Sequence, residues 1–472
     1  ARSALLPYMY SPKAIKTFAA VKHLFDPGNL LNPGVLVDPE PVDRNLRVPR
    51  ARPLVKGLGF AYPHDGGDLS TAVHRCVGVG KCRADTTAAG GVMCPSFLAT
   101  RDEKDSTRGR ARVLQELANG TLVRDFQAPA LRDALDLCLS CKGCSSDCPA
   151  GVDMATYKAE VLHRRYRRRP RPPSHYALGW LPRWARLAAH TPRLANATLR
   201  SASLSGLAKR AGGIDARREL PAFAGQTFRS WFASRPSSAG TPVLLWVDTF
   251  TDHFSPDVGR AAVRVLERAG YAVRIPAKPV CCGLTWISTG QLDGARRRLR
   301  RTLDALPAEL PIVGLEPSCT AVLRGDLPEL LPDDPRSARV AAATRTLAEL
   351  LADTPGWCAP DLAGVTAVAQ PHCHHHAVLG WTADAELLRS AGAAVTAVGG
   401  CCGLAGNFGV ERGHYDVSVA VAETALLPAV RAAPYDAVIL ADGFSCRTQL
   451  EQLAGVQSQH LAQLLADHLE QP

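Results

Sequence analysis

Cys138-Leu139-Ser140-Cys141-Lys142-Gly143-Cys144-Ser145-Ser146-Asp147-Cys148-Pro149 is the stretch that decides how this chain is read. Its spacing is C-x2-C-x2-C-x3-C-P. Three cysteines at intervals of three can wrap one corner of an iron–sulfur cube. The fourth, displaced and followed by a proline that ends the loop, reaches a second cluster. A structural zinc site is the weaker alternative, because zinc ribbons favour two separated C-x2-C pairs. A disulfide framework suits small secreted chains, and not one of 472 residues without a signal-peptide pattern.

Upstream lies a looser partner, Cys76, Cys82 and Cys94-Pro95. In paired motifs the cysteine before proline serves the other motif's cluster. On that logic Cys94, Cys138, Cys141 and Cys144 hold one [4Fe–4S] cluster, and Cys76, Cys82 and Cys148 hold part of another. Val79 or Gly80 stands where a middle cysteine belongs. The second site thus has three obvious thiolates, and a three-iron cluster, a fourth ligand from elsewhere and an empty site all stay open. Around these runs, residues 61–165 read as a small, mostly helical domain. One helix starts after Ser106-Thr107-Arg108-Gly109-Arg110 and runs through Leu117, and another over 129–137 delivers Cys138. Residues 1–40 form an opening module whose helix over 13–25 is broken by Asp26-Pro27-Gly28-Asn29. Residues 41–60 read as an extended linker.

The character changes at residue 241. Apolar runs at 243–247, 271–275, 312–315, 365–369, 395–398 and 437–440 read as buried strands, with helices over 256–269, 291–305, 382–391 and 415–430. Strand–helix alternation implies parallel sheets, and the order repeats, so 241–360 and 361–472 read as a duplication. Cysteines follow the strands, at the carboxyl end where such folds place their sites. Cys281, Cys282 and Cys319 make one set; Cys373, Cys401, Cys402 and Cys446 make the other. Asp248 and Thr249 occupy in the first half the place of Cys373 in the second. Adjacent cysteines do not readily bond each other, but two adjacent thiolates can bind two irons of one cluster. The glycine after each pair lets the backbone pass close to an inorganic core. Redox-active or merely buried thiols are the alternative. His372, His374, His375 and His376 flank Cys373 and more often line a site than ligate metal. Cys358 has no partner and reads as structural.

The formal net charge is +11, yet residues 163–235 carry 16 Arg and Lys against only Asp215 and Glu219, so the remainder is about −3. The basic character belongs to one segment, 166–240. Within it Trp180, Trp184 and Leu187 fall on one helical face beside Arg183 and Arg186. Such a helix could rest on an anionic membrane surface. A solvated connector docked on its neighbours is the preferred reading, and nucleic acid is discounted because no recognition module accompanies the charge. Fifteen cysteines in ligand-like groups and no spanning apolar run suggest a reducing cytoplasmic setting, at most peripheral on the inner face of the cell membrane.

The doubled Cys-Cys-Gly halves resemble the cysteine-rich CCG domains of heterodisulfide reductase, the glycolate oxidase iron–sulfur subunit and the anaerobic glycerol-3-phosphate dehydrogenase C subunit. The two-cluster run ahead of them matches those subunits' order. Phe25-Asp26-Pro27 and Leu31-Asn32-Pro33-Gly34 resemble the end of an FAD-linked oxidase C-terminal domain. Together these resemble bacterial fusions of a flavin dehydrogenase with its iron–sulfur subunit, of the D-lactate or D-2-hydroxyglutarate dehydrogenase kind. The resemblance implies an α+β multidomain chain: an oxidase remnant, a helical two-cluster ferredoxin-like domain, and a duplicated α/β CCG domain with parallel sheets. It implies FAD and a D-2-hydroxy acid handled by a flavin half, with electrons sent on to a quinone or another carrier. The family's FAD-binding domain and histidine-bearing substrate motif are not found in these residues. The chain opens at Ala1 rather than methionine, so a fragment or processed product is expected, inactive on its own. Rival readings are a thiol/disulfide oxidoreductase and a zinc-binding scaffold.

Overall fold

The computed structural model describes residues 3–44, 51–236, 238–307 and 309–469. The chain separates into two compact units, 1–52 and 53–472. In the first, Ser11 caps helix Pro12–Phe25 by accepting from the Ala14 amide, and Pro12 fits the first turn, where no amide is needed. Asp26 stops the helix. Its carboxylate accepts from the Leu30 and Leu31 amides at 2.9 Å each and pairs with Lys22. The turn thus folds on one carboxylate. Of the linker expected over 41–60, residues 45–50 lie outside the described residues, and 51–60 carry no helix or strand.

In the second unit the cysteine-rich region is helical, as its turn signals require. Ser106 caps helix Thr107–Asn119 through the Gly109 amide at 2.9 Å, and Gly120 ends it at φ +68°. Helices Pro129–Asp136 and Met154–Arg165 close around it. Glu160, fully buried, accepts from the Gly59 and Phe60 amides at 2.7 and 3.2 Å, which ties the incoming chain to this domain.

The first part of the basic segment docks on the first sheet's half. Arg171 donates to the carbonyls of Thr289 and Gly290 at 2.6 and 2.8 Å, and the Trp180 indole donates to Gln291 at 2.9 Å. Arg183 lies 4.6 Å from the Trp180 ring centroid. Helix Leu181–Ala188 buries Pro182 and Ala185, and leaves Trp184 and Leu187 exposed. The inward face is therefore the one with small residues, not the tryptophan stripe.

Two parallel sheets follow. The first contains β1 Thr241–Trp246, β2 Tyr271–Arg274, β3 Ile312–Gly314 and β4 Thr344–Thr346 in the order β2-β1-β3-β4. The second contains β5 Thr366–Ala369, β6 Ala394–Ala397 and β7 Val438–Leu440 in the order β6-β5-β7. Val243 to Trp246 are all buried, as a parallel central strand with both faces covered must be. Each half places its first strand between its second and third. The correspondence continues past β3 and β7. Thr346 and Glu349 form a capping box opening helix Leu347–Ala352, and His460 and Gln463 form one opening Leu461–Asp467. In the second half β4 is reduced to one parallel bridge, Leu440 to Gln459. A continuous core joins the halves through Leu245, Leu266, Leu388 and Leu465.

Three expectations need correcting. The helix expected over 415–430 is split into Tyr415–Thr424 and Leu426–Ala432. Pro428 has no amide to give the Thr424 carbonyl, so the ladder breaks between them. The cysteines do not all sit directly after strands. Cys281 follows β2 by seven residues, and Cys319 and Cys446 lie in helices Pro317–Ala321 and Phe444–Ala454. Those helix starts bring the sulfurs back over the strand ends. Cys358 precedes β5 and is exposed, which does not suit a structural core thiol.

Lys142, inside the cysteine run, joins the helical region to the first sheet's half. Its ammonium lies 2.9 Å from Asp153 and 2.9 Å from Asp326, and donates to Thr156 at 3.3 Å. Burial alone would lower its pKa, but the two carboxylates raise it above the ordinary lysine value. Lys142→Met removes the cation and strands two buried carboxylates, which costs about 3–5 kcal/mol. Chemical denaturation should show that loss at pH 7; an unchanged midpoint would contradict the pinning role.

Candidate metal centres

Cys94, Cys138, Cys141 and Cys144 are all buried, between 6 and 8% exposed. Ser140 and Lys142 take left-handed conformations, φ 54° and 58°, on either side of Cys141. Alternation of this kind curls the chain and turns amides inward. The Met154 amide donates to the Cys144 sulfur at 3.4 Å. A Cβ on Gly143 would meet Val92 at 2.7 Å, so no side chain fits beside the loop. Arg110, 1% exposed, donates to the Cys94 sulfur at 3.6 Å, to Ser96 at 2.9 Å and to the Ala134 carbonyl at 2.9 Å. Burial pushes the Cys144 thiol well up, and Asp153 adds to this; burial and the nearby Cys373 do the same to Cys141. Cys94 is different. Burial raises it, but Arg110, the Ser96 hydroxyl and the Phe97 amide outweigh burial and bring it down.

Cys76 and Cys148 are half-buried, and Cys82 is buried. Burial raises the Cys76 thiol against the Gly78 amide, with Cys148 adding to the rise. Cys82 is raised by burial and by Cys94 and Cys76, and lowered by the Arg108 amide. Val77 and Val79 are exposed, and Gly78 and Gly80 are left-handed, so the turn from 76 to 82 supplies no further side-chain ligand.

In the first sheet's half, the Cys282 thiol donates to Cys319 at 3.1 Å. That bond holds the Cys319 thiol down, while burial and the carboxylates of Asp248 and Glu316 push it up to about 12. Asp248, 2% exposed, instead caps helix Thr249–His253 through the Phe250 and Thr251 amides at 2.8 and 3.0 Å. In the second half Cys401 is raised by its bonds with Cys373 and Cys402 and by burial, and Cys402 is lowered by donation from Cys401 and Cys446. All four thiols of this set are buried. The two pairs share one local contact: the glycine amide donates back to the first sulfur, Gly283 to Cys281 at 3.4 Å and Gly403 to Cys401 at 3.5 Å. Both glycines are left-handed, φ 81° and 87°, which that contact requires. At Gly403 a Cβ would also lie 2.1 Å from the Ser418 carbonyl.

The histidines place the second set against the first cysteine run. His374 Nε2 donates to the Ser140 carbonyl at 3.1 Å, and His376 lies 2.8 Å from Asp147. Burial alone would raise Asp147; His376 and the Met93 and Val92 amides bring it to about 2. Burial takes His372 down to about 3, with His374 adding to this. Cys141, Cys373 and Cys401 pack in one apolar cluster with Val92, Leu139, Phe408 and Val421. Arg110 and Lys142 do not stand out as site residues in the sequence. The available signal is an arginine and a lysine within reach of the cysteine motifs, but charge alone does not reveal burial.

Buried thiols that are costly to ionise need a cation to become thiolates. The set of Cys94, Cys138, Cys141 and Cys144, with amide and guanidinium donors at its sulfurs, fits a [4Fe–4S] cluster, and so does the four-thiol set in the second half. Residues 72–152 match a family model described as a 4Fe-4S dicluster domain. Residues 248–324 match the cysteine-rich domain known as CCG, and residues 1–36 match the C-terminal domain of FAD linked oxidases. Along the chain these matches run in the order of an FAD linked oxidase C-terminal domain, a dicluster domain and a CCG domain. It is 24% identical to the D-2-hydroxyglutarate dehydrogenase of Escherichia coli, over 99% of this chain and 50% of that protein. It is 29% identical to the C subunit of the anaerobic glycerol-3-phosphate dehydrogenase of Escherichia coli, over 54% of this chain and 67% of that protein. It is 32% identical to lactate utilization protein A of Bacillus velezensis, over 36% of this chain and 75% of that protein. The chain spans about half the length of the D-2-hydroxyglutarate dehydrogenases it matches.

Cys141→Ala should remove one cluster's iron and destabilise the surrounding helices, because metal–thiolate bonds replace apolar core in so small a domain. Iron and acid-labile sulfide assays of anaerobic protein check this. Full iron content in the variant would contradict the ligand set.

Proposed function

We propose that this chain is the iron–sulfur electron-transfer half of an FAD-dependent D-2-hydroxy acid dehydrogenase of the D-lactate, D-2-hydroxyglutarate or glycolate class. Fourteen cysteines are its metal ligands: Cys76, Cys82, Cys94, Cys138, Cys141, Cys144, Cys148, Cys281, Cys282, Cys319, Cys373, Cys401, Cys402 and Cys446. The observation that carries the reading is the packing of Cys141 against Cys373 and Cys401, which puts the dicluster run and the second cysteine set in one dry contact. When bound, the clusters supply one-electron oxidation and reduction. The protein's own groups set the conditions for it. Arg110 offsets thiolate charge at Cys94. His374 and His376 fix the gap between the two sets. Leu139 and Phe408 keep water from it, and burial and hydrogen bonding of this kind tune cluster potentials. The carrier at the end of the chain is a quinone or another electron acceptor. Among the described residues no helix is long and apolar enough to cross a membrane. The exposed Trp184 and Leu187 beside Arg183 and Arg186 support a peripheral contact there.

The thiol/disulfide oxidoreductase reading draws on a cavity of about 170 Å³ that reaches Cys373 and is lined by Leu181, Phe250 and Leu284. One assay separates the two. This chain joined to a flavin-bearing portion of its family should reduce an artificial dye with D-lactate or D-2-hydroxyglutarate, and poorly with the L-enantiomers. Cys373→Ala should lower that rate at least tenfold while substrate still bleaches the flavin absorbance. Reduction of disulfides without any dye reduction would favour the rival.

A further inference from the structure

His375, within the histidine run, takes no part in the contacts of His374 and His376 with the cysteine loop. His375 is 2% exposed, and its Nδ1 has no hydrogen-bond partner. Its Nε2 forms an ion pair at 3.3 Å with Oδ2 of Asp384, itself 2% exposed. Asp442, half-buried, completes a group whose donor atoms all lie within 4.8 Å of one another. We propose that His375, Asp384 and Asp442 bind one divalent first-row cation, zinc or manganese in kind, at a site separate from every cysteine set.

The chemistry of the group favours a cation over a bare ion pair. Two carboxylates face one imidazole, and burying charged groups without satisfied hydrogen bonds is expensive. A dication neutralises both carboxylates and engages the imidazole lone pair. One nitrogen and two oxygens suit zinc or manganese better than soft-metal sites. Zinc at about 2.0–2.2 Å from each ligand needs donors about 3.3–3.5 Å apart. The His375–Asp384 pair already has that separation.

The surroundings give a second, independent sign. Gln370, 3% exposed, spends its amide nitrogen on the carbonyls of Pro371 and Gly400, and its Oε1 has no partner. Gln370, Asp384 and Asp442 line one cavity of about 10 Å³, and His375, Asp384, Asp442 and His460 line another of about 10 Å³. A space of that order holds about one water, which would complete four-coordination and reach the orphaned amide oxygen. His460 is not a ligand. Its Nδ1 accepts from the Ala462 amide at 2.9 Å and its Nε2 donates to the Leu315 carbonyl at 3.0 Å. Asp442 Oδ1 accepts from the Leu461 amide at 2.8 Å, which fixes the carboxylate in place. Supporting bonds of this sort orient metal ligands.

The site has a structural consequence. His375 follows Cys373 by two residues, and Asp442 precedes Cys446 by four. One cation would tie together the exits of β5 and β7, which carry two sulfurs of the same set.

The test is elemental analysis of the whole purified protein, produced in metal-defined medium and handled anaerobically. Wild type should hold one equivalent of zinc or manganese beyond its iron. His375→Gln and Asp384→Asn should lose at least five-fold of it, with iron and sulfide unchanged. Should either variant fail to fold, Asp442→Asn, at the half-buried ligand, reads the same loss. Zinc ion or manganese ion alone, added back to EDTA-treated protein, should raise the melting temperature of wild type and not of a folded variant. Wild type without zinc or manganese and with no shift on adding either ion overturns the proposal, as does equal content in folded variants.

Discussion

Buried thiol sulfur is the constraint on which the rest of the molecule depends. Among the described residues eleven cysteines are buried, and the dicluster and second-half sets lie largely in apolar surroundings. Burial makes a thiolate costly, and nothing but a cation or a strong donor offsets that cost. The protein supplies such donors one or a few per sulfur: a guanidinium, a hydroxyl and an amide at Cys94, amides at Cys76, Cys82, Cys141, Cys144, Cys281, Cys282, Cys401 and Cys402, and sulfur-to-sulfur bonds within the paired sets. The remaining demand falls to metal, so folding and metal loading are coupled in this architecture.

The same constraint explains where charge is placed. Lys142 stands inside the cysteine run but spends its charge on Asp153 and Asp326, so it holds elements together instead of meeting a sulfur. Arg110 does the reverse. Part of the basic segment's charge is spent on carbonyls and aromatic faces, as at Arg171 and Arg183, and part on ion pairs, as at Arg217 with Asp215 and Asp416 and at Arg235 with Glu267. The segment meets the first sheet's half at Arg171 and Trp180 and the second at Arg218, which donates to the Gly409 carbonyl at 2.7 Å.

Much of this is legible in the sequence wherever geometry is local. Ligand spacing betrays a cluster loop because the inorganic core dictates it, and doubled strand–helix order betrays parallel sheets because alternation does. What is not legible depends on contacts between distant residues. β4 is a Thr-Arg-Thr segment with no apolar pattern, and only pairing with β3 makes it a strand. The break before Leu426 has a local sign in Pro428, but the apolar periodicity on either side masks it. The histidines split three ways, His374 and His376 to the cysteine loop, His375 to Asp384 and His372 beside Ser445, and no spacing rule separates them. Gly403, expected to make room for a cluster, makes room for the Ser418 carbonyl as well.

The central claim is that the dicluster run and the second cysteine set form one electronic path through Cys141 and Cys373. Electron paramagnetic resonance of the dithionite-reduced holoprotein tests it most directly. Adjacent paramagnets broaden and split one another's signals. The account predicts a spin-coupled spectrum from which the coupling to the second cysteine set is lost in Cys373→Ala, leaving only the coupling within the dicluster domain. A wild-type spectrum that is already a simple sum of isolated centres, unchanged by that substitution, would contradict it.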